Sequence, residues 1–222
     1  MAQLPATLRH WTPNRLRDEV HLRAVAVGLG LIPPRTMHSA DDARLLLEVA
    51  QDAHRVVEIG VYEGSSAVAL CEALPAGSEL HLVDPFGEHP DALPGGWAGT
   101  EWATRRVVGR ALRRRATPGP SVHWHAALSH EVAARWSGPV DMIFVDGDHT
   151  EGGCERDWDC WHEHVAVGGH VVFHDARMGR PGGRGLPGPT AVVDRHFRSP
   201  DAHGPWEIAA EADRTVAVRR RA

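Results

Sequence analysis

An α/β sandwich on a mostly parallel, seven-stranded sheet is the fold class that this 222-residue sequence predicts. Two observations carry it. Short β-branched runs alternate with segments of helical apolar periodicity through the middle of the chain. The run Val56, Val57, Ile59 is stopped by Gly60, followed by a helix and then by a second apolar run, Leu80 to Val83, which is the signature of a βαβ unit.

The elements follow in order. Thr12 before Pro13 caps a helix through Leu16, Val20, Ala24 and Val27, which Gly28, Gly30, Pro33 and Pro34 end. That helix is either a cover for the core or a lid or dimer element, and residues 1–38 form an appendage to a domain spanning 39–222. Ser39 and Asp42 make a capping box for a helix through Leu45, Leu46 and Val49. After the first strand, Ala67, Leu70, Cys71 and Leu74 repeat at helical spacing until Pro75 and Gly77. Pro85 to Trp97 is a loop near the site. Trp102 to Arg115 is a helix whose arginines are either a solvated face or an anion site.

Val122 to His125 is the third strand, Ser129 to Trp136 a helix, and Asp141 to Val145 the fourth strand. Cys154, Trp158, Trp161 and Val165 form the apolar stripe of the next helix. Gly168 and Gly169 turn the chain into a fifth strand, Val171 to Phe173. Arg177 to Pro189 is a loop, Ala191 to Phe197 a helix, and Trp206–Ala210 and Thr215–Val218 are two strands around a tight turn. Arg219 to Arg221 is a frayed tail.

A crevice at the carboxyl ends of parallel strands is a ligand site. Gly60 and Gly64 lack the third glycine of the dinucleotide pattern, and Glu58 and Glu63 crowd the place of a pyrophosphate. Asp84 ends the second strand, where a carboxylate accepts hydrogen bonds from vicinal ribose hydroxyls. The ligand these features describe has a cationic amine and a ribose but no phosphate.

Two blocks then carry a resemblance. Glu58 to Ser66 (EIGVYEGSS) with His81 to Asp84 (HLVD) resembles the class I S-adenosylmethionine (SAM)-dependent methyltransferases. Val140 to His149 (VDMIFVDGDH) and Gly168 to Asp175 (GGHVVFHD) resemble a bacterial branch of metal-dependent O-methyltransferases of antibiotic sugars and phenols. The resemblance covers roughly Ser39 to Phe197. It implies a Rossmann-like three-layer sandwich closed by an antiparallel C-terminal hairpin. It also implies a cofactor site of Glu58, Gly60, Tyr62, Gly64, Ser65, Asp84, Ser129 and Asp146, and methyl transfer to a hydroxyl oxygen of a small natural product. Ser129 stands where this family meets the adenine; its plainer reading is an N-cap.

The fourth and fifth strands deliver Asp146, Asp148, His149, His174 and Asp175 to one edge. Asp146 and Asp175 on adjacent strand ends would repel unless a cation lies between them. Asp146, His174 and Asp175 are therefore candidate ligands of Mg²⁺, or of Mn²⁺ if His174 joins. Strand-end aspartates that cap the next helix are the ordinary alternative. A zinc set of His149, Cys154, Cys160, His162 and His164 is a rival without the usual ligand spacing. The candidate general base is His149, with His174 and Asp146 its competitors.

Bulk properties exclude other classes. All 24 basic residues are arginine, so a Schiff-base or phosphate-loop lysine is absent. A net charge of −5 gives no footprint for nucleic acid. Three cysteines, the lack of an apolar run of about 20 residues and the lack of an apolar leader point to a cytoplasmic protein without membrane contact, with a homo-oligomer left open. The rivals from other classes are a non-catalytic nucleoside-binding module or partner subunit, and an NAD-dependent oxidoreductase.

Overall fold

The computed structural model describes residues 20–87, 100–200 and 204–222. The caps at Thr12 and Pro13, and most of the 85–97 loop, lie outside them. The described elements are α1 (Val20–Leu29), α2 (Ala40–Ala50), β1 (Arg55–Ile59), α3 (Ser65–Ala73), β2 (Glu79–Val83), α4 (Glu101–Arg114), β3 (Ser121–His125) and α5 (Ser129–Ala133). Then come β4 (Val140–Val145), α6 (Glu151–Trp161), β5 (Val165–Phe173), α7 (Pro187–Val193), β6 (Trp206–Ala212) and β7 (Thr215–Arg220). Seven strands form one sheet in the order β3-β2-β1-β4-β5-β7-β6, parallel except for the β7 pairings with β5 and β6. This is the Rossmann-like sandwich with an antiparallel hairpin at one edge.

Alternation along buried strands feeds two cores. Val57, Ile59, Ile143, Val145, Val171 and Phe173 face α5, α6 and α7. Val56, Leu80, Leu82, Met142, Phe144 and Val172 face α2 and α3. Burying a side chain of this kind stabilises by about 1.5–3 kcal/mol relative to exposure, so the two cores dominate the folding energetics. The order reverses between β1 and β4, which makes their carboxyl ends the switch point where ligands of such sheets bind.

Several boundaries differ from the sequence reading, each for a local reason. The Gly168–Gly169 pair is an irregularity inside a nine-residue β5, not a turn before it: Gly168 has φ 86°, and a Cβ on Gly169 would lie 2.8 Å from the Asp141 carbonyl. Val165 therefore belongs to β5, and the helix stops at Trp161 before a 3₁₀ turn, His162–His164. α7 starts earlier than expected, with Pro187 in its first turn, where a missing N–H costs nothing. Arg219 and Arg220 are not frayed: Arg219 pairs with His170, and Arg220 Nη1 donates to the Val165 carbonyl at 2.6 Å.

The arginine-rich helix α4 is not a purely solvated face. Arg106 and Arg110 donate to the Gly28 carbonyl, and Arg110 also to that of Val27, which supplies the orphan acceptors at the end of α1. Arg115, just beyond α4, does the same for Cys71, Glu72 and Leu74 at the end of α3.

Candidate active site

The glycine turn after β1 has its form from close approach. Gly60 has φ 86°, and a Cβ there would stand 2.2 Å from the Asp146 carbonyl, so only glycine lets β1 and β4 end side by side. Tyr62 also takes a positive φ of 51°. Asp84 holds this turn: Oδ2 accepts from the N–H of Val61 and of Tyr62, each at 2.8 Å, and Oδ1 accepts from Phe86 N–H at 2.6 Å. Three of about four acceptor sites are thus filled, which leaves room on Oδ1 for one further hydroxyl. Burial raises the Asp84 pKa, against the lowering effect of these three bonds.

Glu58 is 0 % exposed, on the face of β1 toward α3, and accepts from Ser66 Oγ. Its Oε2 has no partner among the described residues. Burial pushes its carboxyl up to about 8, so at neutral pH it is mostly protonated unless a cation arrives. Ser65 shares a hydrogen bond of 3.0 Å with Thr36, and Tyr62 accepts one of 3.0 Å from Arg35. Ser129 is not an N-cap: its Oγ donates to Asp157 Oδ1, while Glu131 caps the Leu128 N–H. Asp157, 5 % exposed, has a carboxyl raised to about 6 by burial.

At the ends of β4 and β5, the residues singled out from the sequence come together. Asp146 Oδ1 lies 2.8 Å from His174 Nδ1 and 3.3 Å from His149 Nε2. Asp175 Oδ2 lies 3.6 Å from both histidines, and its Oδ1 accepts from Arg214 at 3.1 Å. Asp175 takes a positive φ of 53°, and Gly185 packs against it so closely that a Cβ would stand 2.4 Å from its carbonyl oxygen. Burial opposes the protonated form of His149 and His174, but the Asp146 carboxylate outweighs it and raises both pKa values. Burial likewise opposes ionisation of Asp146, and the histidines hold its pKa well below the usual range.

Sequence reasoning missed the other side of the site, the segment between α1 and α2. His38 Nε2 lies 3.2 Å from Asp146 Oδ2, and its ring is 4.4 Å from that of His174. Arg23 and Glu63, both buried, form a two-pronged pair at 2.5 and 2.7 Å that ties α1 to the glycine turn. One signal was available for His38. The Ser39–Asp42 box fixes the start of α2, and a helix leading directly into β1 starts near the sheet's carboxyl edge.

Among the described residues, the groups able to surround an ion are His38–Asp146–His174 and His149–His174–Asp175, which share His174. The donor chemistry fits a divalent cation, and His174, 2 % exposed, has an Nε2 without a partner. The zinc set does not converge: Cys154 is core, its thiol pushed up to about 12 by burial, and His162 binds the Trp158 carbonyl.

The geometry has parallels among known proteins. The chain is 30 % identical over 168 residues to tricin synthase 1 of Oryza sativa subsp. japonica, covering 72 % of this chain and 60 % of that protein. It thus spans about 60 % of the length of this curated relative. The fold is that of the O-methyltransferase TomG of Streptomyces achromogenes, involved in tomaymycin synthesis and solved with SAM (TM-score 0.60, 17 % identity, 92 % and 91 % of the two chains). It is also that of the O-methyltransferase NovP (TM-score 0.61, 16 % identity, 90 % and 89 %). The methyltransferase-domain family matches residues 57–176, more than half of the sequence and all of the strand ends described above, and the chain belongs to that family.

Proposed function

We propose that the protein transfers a methyl group from SAM to a hydroxyl oxygen of a small natural-product acceptor, with help from a divalent metal. The observation that carries this reading is the convergence of Asp146, His149, His174 and Asp175 beside the glycine turn at the β1/β4 switch point. SAM supplies a methyl group already activated on a sulfonium. The chain's tasks are to orient two reactants and to remove one proton. In this reading Glu58, with its unpartnered oxygen, meets the cofactor's amine, Asp84 Oδ1 a ribose hydroxyl, and Ser129 with Asp157 the adenine end.

His149, its side chain one-third exposed, is the proton acceptor. Asp175, locked by Arg214, and Asp146 orient it together, both through its Nε2, at 3.6 and 3.3 Å. A divalent ion would be held by Asp146 and His174, where its chemistry would be to make the acceptor hydroxyl more acidic. The test is S-adenosylhomocysteine release on a panel of phenols and hydroxylated sugars, with and without chelator. Product formed only with metal present supports the whole reading. Undiminished turnover in excess chelator removes the metal and leaves the transfer.

A further inference from the structure

Resting on the metal-assisted reading above, we propose that the ion is held by His38, Asp146 and His174, and that it is a borderline transition-metal ion such as Fe²⁺, Co²⁺ or Zn²⁺ in preference to Mg²⁺. The two triads that share His174 are not equivalent. In His149–His174–Asp175, the carboxylate already has a permanent counter-charge, because Arg214 Nη1 lies 3.1 Å from Asp175 Oδ1. In His38–Asp146–His174, the carboxylate's partners among the described residues are imidazoles, from His38, His149 and His174. Imidazoles can themselves be metal ligands, where an arginine cannot.

The spacings suit a coordination shell as well as a hydrogen-bonded cluster, with Asp146 offering a different oxygen to each histidine. Bonds of about 2.1 Å at right angles place neighbouring ligand atoms about 3.0 Å apart. His38 Nε2 to Asp146 Oδ2 is 3.2 Å, and His174 Nδ1 to Asp146 Oδ1 is 2.8 Å. Each ligand comes from a rigid place: His38 precedes the N-cap of α2, and Asp146 and His174 follow β4 and β5. His174 is buried with its Nδ1 turned to Asp146, while its Nε2 has no partner among the described residues.

Donor type then selects the metal. Mg²⁺ takes oxygen ligands and keeps its waters, whereas imidazole nitrogens suit the later first-row ions. Two histidines and one carboxylate also leave coordination positions open for an acceptor hydroxyl, with His149 beside them as the base.

The test uses the full-length protein stripped of metal. Co²⁺ is titrated by its visible absorption, Mg²⁺ is added in about a hundred-fold excess as competitor, and S-adenosylhomocysteine binding is followed by calorimetry as a check of the fold. The expected result is a Co²⁺ band that Mg²⁺ does not displace. His38→Ala should weaken Co²⁺ by at least ~10-fold with S-adenosylhomocysteine affinity unchanged, and Asp175→Asn should leave the band intact. Displacement by Mg²⁺, or an unaltered Co²⁺ affinity in His38→Ala, overturns the assignment while keeping a metal. Binding of neither ion by a protein that still binds S-adenosylhomocysteine removes the metal altogether.

Discussion

Asp157→Asn should stabilise the protein at alkaline pH and leave it nearly unchanged in acid. Asp157 is 5 % exposed, and burial raises its carboxyl from the usual 3.8 to about 6, against the Ser129 hydrogen bond, which lowers it. The sign is opposite to that of a salt-bridged aspartate. Because the folded state prefers the protonated acid, the side chain's contribution is fully favourable below about pH 4 and is lost as pH rises through about 6. A shift of roughly two units at about 1.36 kcal/mol each amounts to about 3 kcal/mol of destabilisation at pH 8. Asparagine mimics the neutral acid and keeps an oxygen to accept from Ser129. Urea unfolding of both proteins should show a gain near 3 kcal/mol at pH 8, shrinking below about 1 kcal/mol at pH 4. In thermal melts at pH 8 the gain corresponds to roughly 6–12 °C. An equal gain at the two pH values, or a loss at pH 8, would refute the burial argument.

Other outcomes follow from the same geometry. His149→Ala should lower kcat by about 10²–10⁴ with cofactor affinity by calorimetry nearly unchanged; a near-normal kcat would move the base to Asp146 or solvent. Arg23→Met should cost roughly 3–5 kcal/mol in unfolding experiments, because Glu63 loses its buried counter-charge and keeps only the Arg35 N–H. Adding Glu63→Leu should recover part of that loss, and no recovery would mean the pair is not the source.

The parts of the molecule fixed by local chemistry were legible. The capping box at Ser39 is present as read, with Asp42 Oδ2 accepting from the Ser39 N–H at 3.0 Å, and the strand ends bring Asp146, His149, His174 and Asp175 together. What escaped depends on long-range partners. His38 is one of sixteen histidines, and the capping box beside it marks the start of α2 without singling out Asp146, 108 residues away, as its partner. The α4 arginines look like any solvated charge run until the end of α1 is known to lie beneath them. Gly168–Gly169 reads as a turn because a strand irregularity and a turn need the same positive φ; only the Asp141 carbonyl beside Gly169 decides between them.

Asp42 joins the two ends of the chain. Besides capping α2, its Oδ1 accepts from the Arg214 N–H at 2.9 Å and from Thr215 Oγ at 2.8 Å, contacts that span 172 and 173 residues. The helix it caps positions His38, and the arginine it grips restrains Asp175. During synthesis the glycine turn and the first four strands can emerge and pair early, yet both flanks of the catalytic edge wait for the last hairpin. A chain whose β6 and β7 have not yet folded would carry much of a cofactor fold without Arg214 on Asp175, so assembly of the catalytic edge should come late in folding.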